Sequence, residues 1–362
     1  MKILEVYKDV HPLVRGGIER YIHDLSSFLA ESGHEVDVLI AGDNSDGTDM
    51  EISGFRVRTT PCICRVMSNP ICPELVDSLR EIPADLVHFH VPLPSAVLSW
   101  LMTGRNTPYI VTYHSDIVRQ AAFLPFYGPF LRRFLNRAGA VIATSPVYAE
   151  KSVFLSRLKN VSVIPIGSDL NRFKPSDSME TGDYVLFVGR FRKYKGIHVL
   201  LKAWKRFPDR RLIMVGGGPL LREIQHAVRK DRLNIDIIHD PDDDRLVQLY
   251  QGAKCFVLPS TLRSEAFGIV QIEAMACGIP VISTSIPTGV PWVNADGISG
   301  ITVQPDNPDA LADAIGLMDD SNLHKRLSQG ALERARHHFD SPVLLSEIET
   351  LMREVISENN NE

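Results

Sequence analysis

Long hydrophobic runs are missing from this 362-residue sequence: no apolar stretch reaches the roughly 20 residues that a membrane-spanning helix needs. The first residues, MKILEVYKDVHP, hold too short an apolar core for a secretory signal, so a cytoplasmic protein is expected. Cysteine is scarce, at five residues. Cys62, Cys64 and Cys72 crowd into PCICRVMSNPIC without the paired C-x-x-C spacing of a zinc site, while Cys255 and Cys277 lie in apolar runs as core residues do. Reduced thiols follow, not a disulfide framework. An excess of one charge is also lacking. Lys and Arg number 39 against 44 Asp and Glu, and the net charge of −5 gives no electrostatic reason to expect nucleic acid. There is no tandem repeat and no low-complexity tract beyond the tail SENNNE. No strand is followed by G-x-G-x-x-G with a downstream acid, so NAD-dependent hydride transfer is poorly supported.

What is present is ordinary globular composition, 44% hydrophobic and 23% charged, over a length that favours two domains. Short, nearly continuous apolar runs recur: ILEVY near the start, EVDVLIA at 35–41, DLVHFHV at 85–91, YIVTYH at 109–114 and GAVIATS at 139–145. A polar stretch at 168–183 reads as an interdomain linker. After it come YVLFVG, RLIMVG, IDIIH, CFVLP, PVIST and GITVQ. Strands buried on both faces of a parallel sheet look like this. Helical patterns separate most of them; Ile18, Ile22, Leu25 and Leu29 make one, stopped by Gly33. Each half therefore reads as a doubly wound α/β unit, with strand C-termini directed to a shared cleft.

The stretch SEAFGIVQIEAMACGIPV (264–281) keeps Glu265 and Glu273 eight positions apart in an apolar run. It follows the strand CFVLP and is expected to form a turn and then a helix from about Phe267 to Cys277, with Ile269, Ile272 and Ala276 toward the sheet. Gly268 removes a side chain at the helix mouth, where a phosphate could rest on the backbone of Gly268, Ile269 and Val270. Glu273 would then reach ribose hydroxyls and Glu265 a sugar. As plain surface residues, Glu265 would be a helix-start acid and Glu273 an exposed-face residue. In VGRFRKYKGIHVLLKAW (188–204), Arg190 and Lys195 share one loop after a buried strand, which suits a diphosphate. Arg192 and Lys193 read as solvated charges. The run VGGGPL fits either close approach of a nucleotide or a tight turn. PDDD (241–244) reads as a solvated turn before a helix, and no metal-ligand set is apparent.

With GRFRKYKG upstream of this E-x7-E pattern, the chain resembles glycosyltransferase family 4 over essentially its whole length. The resemblance implies a retaining enzyme of GT-B fold, with two Rossmann-like doubly wound domains facing a central cleft. It implies that Arg190 and Lys195 grip the donor diphosphate, that Glu273 binds ribose and that Glu265 contacts donor-sugar hydroxyls. Phe267, Gly268, Ile269 and Val270 fall at the same donor site. Gly16-Gly17 in VRGGIERYIHDL matches the glycine loop after the first strand, and His114 in VTYHSD matches the active-site histidine. As local features, the two glycines could make a tight turn and His114 could be a hydrogen-bonded strand-end residue. His88 and His90 are divided between core packing and cleft lining. Trp292 stands where many members carry a glutamate, and the T-G-x-x-W-V-N form resembles a bacterial subset making surface polysaccharides, often associated with GDP-mannose.

The domains expected from the resemblance are 1–167 plus 338–362, with a helix at 337–356 returning to the first, a linker at 168–183, and a donor domain at 184–337. In that helix Leu344, Ile348, Leu351 and Val355 form one face. The expected reaction is hexosyl transfer, with mannose from GDP-mannose as first choice, to a polysaccharide, lipid-linked oligosaccharide or glycolipid. Glu265 and His114 would orient the hexose, and two cations with a helix end would replace a metal at the diphosphate. A UDP-sugar or dTDP-rhamnose donor, and a GT-B nucleotide-sugar 2-epimerase, are the alternatives. Finally, FLPFYGPFLRRFLNRAG (123–139) combines aromatics with Arg132, Arg133 and Arg137. It fits peripheral contact with an anionic membrane, or an ordinary packed helix whose core face holds Leu131, Phe134 and Leu135.

Overall fold

The structure is a computed structural model that describes residues 1–14, 16–42, 49–66, 69–116, 123–176 and 182–360. The chain forms two compact units, Met1–Pro165 with Pro342–Glu362, and Ile166–Ser341.

The first unit is built on strands β1 (Lys2–Tyr7), β2 (Glu35–Gly42), β3 (Met50–Ile52), β4 (Phe55–Pro61), β7 (Leu86–Val91), β8 (Tyr109–Tyr113), β9 (Ala140–Ala143) and β10 (Val161–Val163). A separate antiparallel ribbon pairs β5 (Cys64–Val66) with β6 (Asn69–Ile71). The sheet order is β10-β9-β8-β7-β1-β2-β4-β3, parallel except for β3 against β4. Every residue of β7 and β8 is buried, which is why these strands are apolar without alternation. The order reverses direction between β1 and β7, so the C-terminal ends of these two strands flank the topological switch point of the sheet. The helix Gly17–Glu31 covers it with Ile22, Leu25 and Leu29, all fully buried, while Ile18 is half-buried.

The C-terminal helix Ser341–Asn359 belongs to the first unit. It buries Leu344, Leu345, Ile348, Met352 and Val355, while Leu351 is only half-buried. The expected face thus shifts by one residue in its third turn, as the 3.6-residue period requires over four turns. Gly139 makes room for this helix, since a Cβ there would lie 2.4 Å from Val355 Cγ1. His34 Nε2 meets Glu349 Oε1 at 3.0 Å and pins the other side. The single helix expected over 337–356 is broken: one helix ends at His338, Phe339 is fully buried, and the next begins at Ser341.

The second unit carries β11 (Tyr184–Val188), β12 (Arg211–Val215), β13 (Ile235–Ile238), β14 (Cys255–Leu258), β15 (Val281–Thr284) and β16 (Gly300–Val303). All pair in parallel, in the order β13-β12-β11-β14-β15-β16. This 3-2-1-4-5-6 arrangement places its switch point between β11 and β14. Phe187, Leu200, Trp204, Leu212, Ile315 and Leu327 are among the buried side chains of its core. Each fully buried side chain of this size contributes about 1.5–3 kcal/mol relative to exposure. The stretch expected as a linker begins inside this unit: Ser168 exchanges backbone hydrogen bonds with Phe339 and Ser341, and Phe173 packs edge-on to Tyr250. Part of that stretch, 177–181, lies outside the described residues.

All five cysteines are free thiols. Cys255 and Cys277 are buried, and burial is the main reason that both thiols are pushed up to about 12. They are core residues, as their apolar surroundings in the sequence indicate.

Candidate functional site

In the second unit the site grows from two loops that leave neighbouring strands at the switch point. The loop after β11 carries Arg190 and a short 3-10 turn, Lys193–Lys195; the loop after β14 carries Ser260 and Glu265. Thr261 N donates to Tyr194 O at 2.8 Å and ties one loop to the other. Gly196 makes this approach possible. Its φ is +67°, and a Cβ would stand 1.8 Å from the carbonyl oxygen of Pro259. Two glycines of the VGGG run serve the same purpose on the other side, because a Cβ on Gly216 or Gly218 would strike the backbone of Gly189 or Phe191. Backbone packing thus accounts for Gly216 and Gly218, while a Cβ on Gly217 would meet the His239 ring, 2.7 Å from Nε2.

The zipped loops bring Lys195 and Glu265 together. Nζ lies 2.7 Å from Oε2, and both side chains are 9% exposed. Ser260 Oγ donates to the same carboxylate at 3.0 Å. Burial opposes the charge on Lys195, but Glu265, then Tyr194 and more distantly Glu273, outweigh it and hold the ammonium above the ordinary lysine range. Arg190 is exposed and has no side-chain hydrogen bond or ion pair among the described residues. Lys193 is exposed and Arg192 half-buried.

The helix after the second loop is shorter than expected, Val270–Ala276. Residues Ser264–Ile269 are loop, and Gly268 takes φ +75° with Leu258 and Gln271 packed where its Cβ would be. The glycine is therefore demanded by backbone conformation and inward packing. Ile272 and Ala276 are buried, with Ile269 and Val270 half-buried. Phe267, itself buried, packs its ring with half-buried Trp292 and buried Phe339, over which Arg334 lies. Glu273, on the half-buried face of the helix, accepts a 2.6 Å hydrogen bond from the Tyr250 hydroxyl. Burial first, and then this carboxylate, hold the Tyr250 phenol far above its usual range. Asp242 of the PDDD turn caps its helix by accepting from Arg245 N at 2.7 Å.

The first unit gathers a different set. Parallel register pairs Glu5 with His88 and His90 with Thr112, and the two-residue period of a strand puts all four, with His114 just beyond β8, on one face. Glu5, His88 and His90 are completely buried, and His114 nearly so. His88 Nδ1 lies 3.1 Å and 2.9 Å from the two Glu5 oxygens, and its Nε2 is 2.7 Å from Thr112 Oγ1. His90 Nε2 is 2.6 Å from Glu5 Oε2, and His90 Nδ1 is 3.1 Å from His114 Nε2. Burial would raise the Glu5 carboxyl, but the attraction of His88 and the bonds from both histidines bring it down to about 2. Burial, then His88, pull His90 down to about 4 against the attraction of Glu5. Burial, then His90, His88 and Lys8, hold His114 well below the ordinary histidine range.

Sequence reasoning left His88 and His90 outside the site and did not consider Glu5. The available signal was a lone carboxylate inside the buried strand ILEVY, together with two histidines spaced to share one strand face. These three side chains are also the one group, among the described residues, that could place three metal-ligating atoms within 4.8 Å of each other. Gly16 and Gly17 sit at the start of the helix Gly17–Glu31, with Gly16 extended at φ −166°, so backbone conformation does not demand glycine there. A Cβ on Gly16 would meet the Glu19 carboxylate, at 2.1 Å from Oε2.

Known proteins resemble this chain over nearly its whole length. Residues 169–334 match the family described as glycosyl transferases group 1, and residues 15–172 match glycosyltransferase family 4. The O-antigen chain mannosyltransferase C of Escherichia coli is 32% identical over 356 residues, covering 94% of each chain. The D-rhamnosyltransferase WbpZ of Pseudomonas aeruginosa is 33% identical over 352 residues, covering 94% of this chain and 92% of that protein. Among solved structures, the sucrose-phosphate synthase of Thermosynechococcus elongatus superposes with a TM-score of 0.83 at 24% identity, covering 99% of both chains. The resemblance drawn from E-x7-E and GRFRKYKG is borne out: this chain is a hexosyltransferase and belongs to glycosyltransferase family 4, with the GT-B fold.

Proposed function

We propose that this enzyme transfers mannose from GDP-mannose to a polysaccharide, lipid-linked oligosaccharide or glycolipid acceptor, retaining the anomeric configuration and using no metal at the diphosphate. The observation that carries this reading is the buried Lys195–Glu265 pair at the switch point of the second sheet. A lysine kept charged in a buried position, beside an exposed arginine on the same loop, supplies the two cations that a diphosphate needs. An ammonium has three N–H donors, so Lys195 can hold Glu265 and still donate to phosphate oxygens. Glu265, fixed by Lys195 and Ser260, accepts from hexose hydroxyls. Glu273, steadied by Tyr250, accepts from the ribose. The two curated relatives named for mannosyl and D-rhamnosyl transfer support a manno-configured donor, because these two sugars differ at C6.

In the reaction the acceptor hydroxyl oxygen forms a bond to C1 of the hexose on the face the diphosphate is leaving. The bond from C1 to the phosphate oxygen breaks, with its electron pair passing to the diphosphate. The acceptor proton moves to that oxygen. Arg190 and Lys195 stabilise the charge as it develops, an electrostatic contribution of the oxyanion-hole kind.

Thermal-shift measurements with GDP-mannose, UDP-glucose, UDP-GlcNAc and dTDP-rhamnose test the donor. A ligand at a hundred times its Kd stabilises by about 2.7 kcal/mol, so a clear shift with GDP-mannose is expected. Selective stabilisation by a UDP-sugar would overturn GDP-mannose as donor.

The acceptor side extends the proposal to a membrane surface. The helix Leu124–Arg137 packs through Leu131, Phe134 and Leu135, while Phe123, Phe126 and Phe130 stay exposed with Arg132, Arg133 and Arg137. Positions 126, 130, 133 and 137 repeat at helical spacing and share one face. Aromatic rings beside cations on an outer face fit anionic lipid, where a lipid-linked acceptor resides. No described helix is long and apolar enough to cross a membrane, so contact would be peripheral. Flotation with anionic vesicles, lost in Phe126→Ser/Phe130→Ser, is expected; absence of binding by the wild type would remove the lipid contact.

A further inference from the structure

The geometry points to Glu5 and His90 as positioning residues that lock His114 in the tautomer whose Nδ1 is a bare acceptor, reserved for a hydroxyl of the transferred sugar. One hydrogen-bond direction runs through the three side chains. An ionised carboxylate can only accept, so the 2.6 Å contact between Glu5 Oε2 and His90 Nε2 requires the proton on His90 Nε2. A neutral His90 then presents Nδ1 as a lone pair. His114 Nε2, 3.1 Å away, must carry its proton to fill that bond. Nδ1 of His114 is left without a proton, and it is a buried side-chain atom with no hydrogen-bond partner among the described residues. A buried polar atom left unpaired costs stability unless something fills it. An acceptor-only nitrogen selects an O–H donor and rejects a carboxylate, a carbonyl or a deoxygenated carbon.

The low protonation range of His90 and His114 agrees with neutral rings. The surroundings also fix orientation. The His114 ring stacks on His90 with centroids 5.3 Å apart, and Tyr21 stands edge-on to it at 5.4 Å. A metal bound by Glu5, His88 and His90 is the competing use of the cluster. Ligand atoms about 2.0–2.2 Å from a tetrahedral zinc stand roughly 3.3 Å or more apart. The 2.6 Å contact of Glu5 with His90 is a hydrogen-bond length, and a proton fills it.

The choice of a sugar hydroxyl as ligand rests on the transferase reading; the tautomer does not, and it can be measured without any substrate. Long-range proton–nitrogen correlation spectra of the 15N-histidine-labelled enzyme report each ring nitrogen. We expect His114 Nδ1 to be pyridine-like and Nε2 pyrrole-like in the wild type. His90→Gln keeps a donor to Glu5 but removes the acceptor that faces His114, so the lock is released and the tautomers mix. His90→Asn places a carbonyl oxygen where Nδ1 stood and restores the wild-type spectrum. In a transfer assay His90→Gln should lose about 10–100-fold in kcat/KM, the value of one buried hydrogen bond, with His90→Asn recovering most of it. A pyrrole-like His114 Nδ1 in the wild type would overturn the proposal, even if either variant fails to fold. An unchanged His114 spectrum in a folded His90→Gln would overturn it as well. A locked tautomer with unaltered kcat/KM in His90→Gln would instead count against a hydroxyl at Nδ1.

Discussion

Lys195 Nζ and Glu265 Oε2 stand 2.7 Å apart in a buried pair formed by two loops from adjacent strands. The cation assigned to the diphosphate and the carboxylate assigned to the sugar are therefore one unit. Removing either partner strands the other in a poorly solvated place. Lys195→Ala is expected to destabilise the enzyme by about 3–5 kcal/mol in urea unfolding, and Lys195→Met/Glu265→Leu by much less than the sum of the single changes. Additive single effects would show that the pair is not coupled.

Gly196 sets that pair by letting the loops touch. Gly196→Ala puts a Cβ against the Pro259 carbonyl at a positive φ, so the loops must separate. A loss of stability of about 1–3 kcal/mol is expected, with donor binding falling more steeply than for a surface substitution of equal cost. Calorimetric titration of the donor against the urea midpoint of each variant provides the comparison.

Tyr250 steadies Glu273 through a 2.6 Å hydrogen bond to a carboxylate. Tyr250→Phe removes a bond of about 1.5–3 kcal/mol. Nucleoside diphosphate affinity should weaken together with stability if Glu273 holds the ribose as proposed, since its carboxylate loses its support. Unchanged affinity in a destabilised variant would separate Glu273 from nucleotide binding.

The histidine cluster makes the first unit sensitive to acid. His90 lies near 4 against an ordinary 6.5, so between those values the unfolded chain binds a proton that the folded chain does not. Stability from this group is complete above about 6.5 and is lost as pH falls toward 4. Glu5, at about 2 against 4.5, acts in the same direction over a lower window. His114 is displaced the same way. Each proton is worth about 1.4 kcal/mol per unit of displacement, so the unfolding free energy should fall by several kcal/mol between pH 7 and pH 4, and the urea midpoint with it. His90→Asn should flatten part of that fall. A midpoint that rises on acidification would contradict neutral His90 and His114 beside an ionised Glu5.

Much of this architecture was legible in the sequence because buried parallel strands advertise themselves. YVLFVG, RLIMVG and CFVLP all became central strands, since a strand covered on both faces leaves little room for polar residues. Of the strands that escaped, β3, β5, β6 and β10 are three residues long, and the seven-residue β4 interleaves its apolar positions with Arg56, Arg58 and two threonines. The break at Phe339 escaped because helical spacing continues across it, while the contacts that hold it out of line, the cluster with Phe267 and Trp292 and the backbone bonds to Ser168, come from distant segments. At the site, Lys195 and Glu265 were readable as residues, but their contact depends on loops 70 positions apart meeting at Gly196. Glu5 was hidden for a similar reason. Its partners come from β7, and the register of β1 against β7 is a property of the sheet, not of either segment.

The central claim is that the second unit holds a nucleotide-diphosphate sugar through Lys195 and Glu273. Calorimetric titration of GDP-mannose into the wild type, Lys195→Ala and Glu273→Ala, all in EDTA, tests it most directly. We predict saturable binding by the wild type and at least about tenfold weaker binding by each folded variant, equivalent to about 1.4 kcal/mol or more. Equal affinity in all three proteins would contradict it.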